Sequence, residues 1–154
     1  MDLSRILKPE AVKVIANVTS KKRLFQELGE VGHSIYAFPA NEAVDALQER
    51  ESLGPTGVGH GVALPHARLR GLDSVVGVFL RLDRRLDFDS VDRQPVDLVF
   101  ALFAPIDSGV EHLKALALVS RTMRDAKICE KLRANDDPAT LHAVLTELQP
   151  ARAA

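Results

Sequence analysis

Two long apolar segments in the middle of the chain constrain its fold more than any other feature. Residues 74–82 read SVVGVFLRL and residues 95–105 read PVDLVFALFAP, so apolar side chains follow one another without regular polar alternation. Strands of this composition are buried on both faces, as in sheets that helices cover on each side. The two segments therefore predict central strands of such a sheet.

Other strand and helix patterns surround these two segments. The β-rich residues 12–18 (VKVIANV) and the short run 62–65 (VALP) predict two more strands. A helix is predicted over residues 20–38, because apolar side chains recur there near helical spacing at Leu24, Leu28, Val31, Ile35 and Phe38. We expect this stripe to face the core.

Capping residues mark the starts of further helices. Asn41 is the expected N-cap of a helix over residues 42–51. Ser108 and Glu111 have the spacing of a capping box, and the helix that follows is apolar on most sides, so we expect it to pack deeply. After a shorter helix at 126–135, Asp137 and Pro138 suit the cap and first turn of a last helix, whose apolar stripe is Leu141, Val144, Leu145 and Leu148.

The alternation of strands and helices predicts the fold class. It indicates an α/β domain of three layers, with a mixed, mostly parallel central sheet flanked by helices. The 154 residues are enough for one domain with its own core and too few for two comfortable ones. We therefore expect a single domain over residues 1–154, with its core over 4–148.

Charge and cysteine content exclude several classes of protein. The formal net charge is −1 and acids and bases are interspersed, so no basic face for a nucleic-acid partner is expected. Cys129 is the single cysteine and cannot form an internal disulfide, which fits a reducing compartment. The N-terminal residues lack a signal-peptide pattern, and no segment approaches the roughly 20 apolar residues of a membrane span. We expect a cytoplasmic protein without direct membrane insertion.

Residues 57–68 (GVGHGVALPHAR) concentrate three glycines and two histidines. Glycines at this density mark a tight turn or a close approach of the backbone to another molecule. His66 comes directly after a predicted strand, and His112 opens the helix that follows another. Because α/β proteins place functional groups at strand ends, both histidines are expected at the same rim of the sheet.

Several kinds of site can be weighed for this segment. It lacks the Lys-Ser/Thr pair of a P-loop, and its third glycine comes one residue early for a dinucleotide motif. His60, His66 and His112 could bind a metal, but no spacing fixes two of them on one helix face. The chain has no G-x-S-x-G elbow, and Cys129 beside Ile128 has the pattern of a packed thiol.

Histidine itself remains as a nucleophile. A neutral imidazole can accept a phosphoryl group on one nitrogen while the hydrogen bond of the other nitrogen fixes the tautomer. Such transfer depends on positioning and on donors to the phosphoryl oxygens. Backbone N–H groups around His66, a second histidine and an arginine would supply these donors. In this interpretation the glycines keep the approach to His66 low and open for a docking protein.

Three blocks of sequence resemble a known family. RESLGPTGVGHGVALPHAR at 50–68 is similar to the active-site segment of the type 2 IIA proteins of the bacterial phosphotransferase system. FDSVDRQPVDLVFALFAP at 88–105 and EHLKALALVSR at 111–121 resemble two further blocks of that family, in the same order. Within the family the nitrogen-regulatory IIA branch is the most similar. The resemblance covers nearly the whole chain and identifies it as a single type 2 IIA domain.

The resemblance implies roles for three residues. His66 would carry the phosphoryl group on Nε2, His112 would donate to that group, and Arg50 matches an arginine that family members hold near the site. Ala67 stands where the family often has glycine, and its methyl group is expected to restrict the loop slightly. His60 is assigned no catalytic role. The remaining histidines are interpreted as solvated residues on helix faces: His33 and His142.

The implied function is that of a phosphocarrier with regulatory output, with no cofactor and no metal. An HPr-like phosphoprotein would phosphorylate His66, and the phosphorylation state would regulate partners such as potassium-transport components or sensor kinases. It would be an enzyme only in the sense of forming a phosphohistidine intermediate. Two alternatives stay open: a IIA subunit of a fructose- or mannitol-type sugar transport system, and a binding module that is not phosphorylated.

Overall fold

The computed structural model describes residues 2–147. The helices within that range are α1 Leu3–Ile6, α2 Lys21–Tyr36, α3 Ala40–Ser52, α4 Val110–Met123, α5 Ala126–Arg133 and α6 Pro138–Thr146. The strands are β1 Val12–Ile15, β2 Gly57–Gly59, β3 Val62–Ala63, β4 His66–Leu69, β5 Val76–Leu86 and β6 Val96–Pro105. A short 3₁₀ turn, Pro9–Ala11, precedes β1.

One mixed sheet joins these strands in the order β1-β5-β6-β3-β2, and β4 also pairs with β6. The pairs β1·β5, β3·β6 and β4·β6 are parallel, whereas β2·β3 and the long β5·β6 pair are antiparallel. The connection between β5 and β6 carries no helix, so the chain returns along the neighbouring strand in the opposite direction. The predicted α/β fold with a mixed sheet between helices is confirmed.

The two apolar segments form the centre of this sheet. Every residue of β6 is buried, and residues 77–82 of β5 are buried as well. Helices α2 and α3 pack on each other, with α2 on β5 and α3 on β4, while α4 packs on β6 and α6 on β1. Burying a large apolar side chain contributes roughly 1.5–3 kcal/mol, so this double coverage supplies much of the stability.

Helix α2 starts and ends as its sequence dictates. Ser20 caps its first turn through Oγ, which accepts a hydrogen bond from the Arg23 N–H, and Ala37 ends it in the left-handed conformation. Phe38 therefore lies outside the helix, although the stripe predicted it inside. Its ring is buried against Phe103, with a centroid distance of 4.7 Å, so the expectation of a core position is confirmed.

The starts of two later helices differ from the prediction. Pro39, not Asn41, is the N-cap of α3, because the Pro39 carbonyl already accepts the first helical hydrogen bond from Ala43. Gly109, not Ser108, is the N-cap of α4, and no side chain caps that helix. Arg68 donates to the carbonyl of Ser108, which fixes that residue outside the helix.

Helix α4 is also less deeply packed than its apolar composition suggested. One face is buried, whereas Val110 and Leu113 are 64% and 66% exposed. The strand predicted at 12–18 ends already at residue 15. β1 lies at the edge of the sheet, whereas Val110 and Leu113 lie on the face of α4 that is not buried.

The C-terminal elements follow the prediction more closely. Asp137 caps α6, and Leu141 and Leu145 of its stripe are buried, whereas Leu148 lies outside the described residues. The thiol of Cys129 is buried and donates to the carbonyl of Met123, as a packed cysteine would. Among residues 2–147, no helix has the length and apolar character needed to cross a membrane.

Candidate functional site

His66 is the first residue of β4, at the point where the chain rejoins the sheet. Between β3 and β4, Leu64 and Pro65 interrupt the strand, because a proline has no N–H to give to the ladder. The Pro65 carbonyl still accepts from the N–H of Leu102 on β6, which keeps the segment against the sheet. The strand predicted at 62–65 before His66 is present as β3, although it covers only Val62–Ala63, and His66 itself begins the next strand.

The ring of His66 is fixed by a hydrogen bond on each nitrogen. Nδ1 lies 2.9 Å from the carbonyl oxygen of Leu64, which only accepts, so Nδ1 carries the proton of the neutral ring. Nε2 then has a free lone pair, and Nε–H of Arg50 donates to it at 3.3 Å. The arrangement selects the tautomer in which Nε2 is the nucleophilic nitrogen.

Arg50 occupies the last turn of α3 and is anchored on both sides. Its Nη1 donates to the Gly54 carbonyl at 2.9 Å, while its Nε contacts His66. A guanidinium is permanently charged and presents several donors in one plane. The structure thus brings Arg50 to His66, as the resemblance implied.

The surroundings of His66 favour the neutral imidazole. Burial lowers the pKa of His66, and the charge of Arg50 lowers it further, whereas the hydrogen bond to Leu64 and the carboxylate of Glu51 act in the opposite direction. The balance keeps the pKa below its ordinary value of 6.5. A neutral ring near pH 7 keeps the lone pair on Nε2 that a nucleophile needs.

His112, in the first turn of α4, lies beside His66. The two ring centroids are 5.8 Å apart at an interplanar angle of 70°. Its side chain is buried, and Nε2 has no hydrogen-bond partner among the residues that the structure describes. Burial lowers the pKa of His112, and the positive charges of a protonated His66 and of Arg68 lower it further. A buried ring nitrogen without a partner is available to a ligand that enters between the two histidines.

These side chains surround an open cavity of about 460 Å³. Two histidines, two arginines and one carboxylate are the polar residues of the lining: His66, His112, Arg50, Arg68 and Glu49. Leu53 and Leu113 are among its apolar residues. Leu53 is 81% exposed, although leucine is usually buried. The cavity combines hydrogen-bonding side chains, among which two arginines outnumber one carboxylate, with exposed apolar side chains.

Arg68 is a member of this site that the sequence reasoning did not identify. Its Nη1 donates to the carbonyl of Ile106 at 3.1 Å and also to that of Ser108, so it ties β4 to the segment before α4. Those contacts fix the start of α4 and hence the position of His112. The two-residue period of a strand could have identified Arg68 from the sequence, because His66 and Arg68 are two residues apart and so share a face.

The three glycines have a different role from the one that the sequence suggested. None of them lines the cavity at His66 within the described part of the chain. A Cβ at Gly57 would lie 2.2 Å from Ser90 Oγ, and one at Gly61, which has a φ of 78°, would lie 2.5 Å from Arg133 Nη2. The interpretation that they open the approach to His66 is wrong. They allow the β2–β3 hairpin to pack closely against residues 90–97 and α5.

The other histidines take part in backbone contacts. His60 has a φ of 57° at the tip of the hairpin, where its N–H donates to Asp92. His33 bonds to the Phe38 carbonyl and half-buried His142 to the Leu7 carbonyl, so His142 is not simply solvated. Across residues 2–147, no group of three or more His, Cys, Asp or Glu side chains could hold a metal ion.

Ala67 fits its position without strain. It lies within β4, opposite Phe103, and it is not among the residues with positive φ. A Cβ is therefore accommodated where the resembled family often has glycine, and the expected restriction of a loop does not arise.

The chain is similar to known proteins in sequence and in overall fold. Residues 5–148 match the sequence model of the family described as phosphoenolpyruvate-dependent sugar phosphotransferase system, EIIA 2. A nitrogen regulatory protein of Bradyrhizobium diazoefficiens is 45% identical over 154 residues, which is 100% of both chains. One from Escherichia coli is 36% identical over 151 residues, or 97% of this chain and 92% of its own. The crystal structure of nitrogen regulatory protein IIA-Ntr from Neisseria meningitidis has a TM-score of 0.85 at 34% identity and covers 93% of this chain and 98% of its own.

Proposed function

The chain belongs to the EIIA 2 family of the phosphoenolpyruvate-dependent sugar phosphotransferase system, and we propose that it is a phosphocarrier of the nitrogen-regulatory branch. In this proposal Nε2 of His66 accepts a phosphoryl group from a histidine of an HPr-like phosphoprotein. The observation that carries the proposal is the pair of hydrogen bonds on the His66 ring, which place the proton on Nδ1 and the lone pair on Nε2.

The transfer exchanges one nitrogen–phosphorus bond for another. The lone pair of His66 Nε2 attacks phosphorus, and the bond between phosphorus and the donor nitrogen breaks, leaving its electron pair on the donor. The proton on His66 Nδ1 stays in place, so the phosphorylated ring carries a formal positive charge. The Leu64 carbonyl stabilises that charge, because a hydrogen bond strengthens when its donor becomes charged.

Three groups around the ring support a role in binding the phosphoryl oxygens. The guanidinium of Arg50 touches the nitrogen that would become phosphorylated, and Arg68 lines the same cavity. The buried Nε2 of His112 has no hydrogen-bond partner within residues 2–147, and it would donate to a phosphoryl oxygen in its Nε2–H tautomer. Positioned donors and positive charge are the main requirements of phosphoryl transfer.

The shape of the site fits a protein donor better than a small molecule. The cavity is open, and exposed Leu53 and Leu113 lie among its lining residues. Exposed apolar side chains that border a polar centre are typical of surfaces where another protein docks. A folded phosphoprotein could therefore bring its phosphohistidine to His66.

Regulation would follow from the charge of the phosphoryl group. Phosphorylation adds about −1.5 to −2 charges to a surface with exposed apolar side chains, so a partner that docks on the unphosphorylated form would lose affinity. Relatives that match over 92% or more of their length are named nitrogen regulatory proteins, which supports a regulatory role. In this proposal the regulated partners are proteins such as potassium-transport components or sensor kinases, and the chain acts in the cytoplasm. A IIA subunit of a fructose- or mannitol-type transport system remains the alternative.

The test is phosphorylation by a phosphorylated HPr-like protein, followed by intact mass. Wild type should gain one phosphoryl group, and His66→Ala should gain none. A wild-type protein without added mass would instead favour the binding module, and equal labelling of His66→Ala would overturn the assignment of the acceptor. Efficient onward transfer to the cysteine of a sugar-specific IIB domain would favour the transport alternative.

A further inference from the structure

The segment between α3 and β2 is held by two consecutive side chains at the end of α3. Arg50 donates to the Gly54 carbonyl, as described above, and its neighbour Glu51 binds Thr56. The first of these contacts belongs to the site at His66. The residues of the second contact do not line the cavity at His66, although one of them is a buried carboxylate.

Glu51 binds Thr56 with both of its carboxylate oxygens. Oε1 accepts from the Thr56 hydroxyl at 2.7 Å, and Oε2 accepts from the Thr56 N–H at 3.0 Å. Lys21 neutralises the carboxylate with Nζ 2.9 Å from Oε2. The Glu51 side chain is 8% exposed and Thr56 is 4% exposed. Charge-assisted hydrogen bonds in such a buried setting define a single geometry.

Thr56 in turn holds the residue that fixes the His66 tautomer. Its carbonyl accepts from the N–H of Leu64 at 2.9 Å, and the Leu64 carbonyl accepts from Nδ1 of His66 at 2.9 Å. Leu64 is thus held through its N–H by Thr56 while its carbonyl orients the imidazole. The contacts form one continuous path from the Glu51 carboxylate to the ring.

We propose that Glu51 and Thr56 are positioning residues that keep the Leu64 carbonyl in place and thereby maintain the Nδ1–H tautomer of His66. The inference rests on the proposed function only for its consequence, the rate of phosphoryl transfer. When the Leu64 carbonyl moves, Nδ1 loses its acceptor and the ring samples the tautomer with the proton on Nε2. That tautomer has no lone pair on the nitrogen that faces Arg50, so transfer slows.

The carboxylate of Glu51 also acts through its charge, and the two effects can be separated. Its negative charge favours the protonated form of His66, against the stronger effect of burial. A glutamine can accept from the Thr56 N–H and donate to the Thr56 hydroxyl, so Glu51→Gln keeps the geometry and removes the charge. The pKa of His66 should fall further in Glu51→Gln while its tautomer remains that of the wild type.

The experiment compares the unphosphorylated full-length chain and four variants: Glu51→Ala, Glu51→Gln, Thr56→Val and Thr56→Ser. Long-range ¹H–¹⁵N spectra of the imidazoles report the tautomer of His66 without any phosphoryl transfer. Stopped reactions with a phosphorylated HPr-like donor give the transfer rate, and thermal unfolding gives the folded fraction. Asp45→Ala is the matched control, since Asp45 is an exposed carboxylate of the same helix.

Glu51→Ala and Thr56→Val should raise the population of the Nε2–H tautomer and slow transfer by about tenfold to a hundredfold, the size of effect that a small misplacement of a reacting group produces. Thr56→Ser, which keeps the hydroxyl, and Asp45→Ala should resemble wild type in both readouts. If Glu51→Ala does not fold, the near-isosteric Thr56→Val decides.

A wild-type tautomer in folded Glu51→Ala and Thr56→Val would overturn the inference, even where transfer slows, because the effect would then act elsewhere. If the wild-type protein accepts no phosphoryl group, the proposed function fails, whereas the spectra still decide whether Glu51 and Thr56 fix the ring.

Discussion

The backbone carbonyl of Leu64 accepts a hydrogen bond of 2.9 Å from Nδ1 of His66, two residues further along the chain. Leu64 and Pro65 lie between β3 and β4, outside the regular strands. A contact between near neighbours in sequence therefore fixes which nitrogen of His66 is free.

Phosphorylation should occur on Nε2 of His66 and not on Nδ1. Nδ1 carries a proton that the Leu64 carbonyl accepts, whereas Nε2 faces the guanidinium of Arg50. The two phosphohistidine isomers are distinguished by the ¹⁵N and ³¹P chemical shifts of the labelled protein. Signals of the Nδ1 isomer would contradict the tautomer that these hydrogen bonds favour.

Arg50→Lys should slow phosphoryl transfer by about tenfold to a hundredfold. Lysine keeps the positive charge, but it cannot donate to His66 and to the Gly54 carbonyl from one rigid plane. The rate of transfer at saturating donor measures the effect. Arg70→Lys, a change of an exposed arginine beyond the end of β4, provides the control and should leave the rate unchanged.

His112→Ala should slow transfer while it changes the free energy of unfolding by only about 1 kcal/mol. The variant loses the packing of the ring, but it also removes a buried Nε2 that has no partner among the described residues, and the two effects oppose each other. Denaturant unfolding and transfer kinetics measure them separately. Unchanged kinetics would remove His112 from the site.

Sequence patterns predicted the centre of the fold well, because a strand that is buried on both faces needs apolar residues, such as Phe79 and Phe100, at nearly every position. They failed where a distant contact decides a local conformation. Ser108 has the spacing of a capping residue, yet Arg68 of β4 donates to its carbonyl, and α4 begins only after Ser108. No short-range pattern contains that contact.

The site shows the same division between local and distant causes. His66, His112 and Arg50 were proposed from the resemblance, and the structure brings all three to one cavity, although their roles remain predictions. The prediction for Gly61 is wrong because the residue packs against the side chain of Arg133, which lies more than seventy residues further along the chain. A high density of glycine in a sequence indicates close packing but does not identify the residues that pack there.

Stability should decline as pH falls below about 6.5, and transfer should decline at the lower pH where His66 of the folded protein becomes protonated. Burial keeps the folded pKa of His66 and of His112 below the ordinary value of 6.5, so the unfolded chain binds protons first. The contribution of the two histidines to the free energy of unfolding is therefore fully present above pH 6.5. It decreases between that pH and the lower folded pKa values. Transfer declines as Nε2 of His66 becomes protonated and loses its lone pair.

Unfolding free energies between about pH 5 and pH 8 test this dependence. The double variant His66→Gln/His112→Gln should show a flatter profile over that range, because both titrating rings are gone. An equally steep profile in the double variant would assign the pH dependence to other groups.

Gly61→Ala should destabilise the protein without affecting transfer by the folded molecule. The residue has a φ of 78°, and an added Cβ would lie 2.5 Å from Arg133 Nη2 and 3.0 Å from Asp97 Oδ1. It would therefore strain the backbone and also displace an ion pair, in which Arg133 Nε lies 2.9 Å from Asp97 Oδ2.

Gly71→Ala is the matched control, since Gly71 has a similar φ of 84° but open space where its Cβ would be. The control should lose only the free energy of unfolding that backbone strain costs, about 1–2 kcal/mol. Gly61→Ala should lose about 1–3 kcal/mol more. Chemical unfolding measures the difference. Equal losses would mean that the contact with Arg133 does not constrain residue 61, and slowed transfer in folded Gly61→Ala would restore a role for the hairpin at His66.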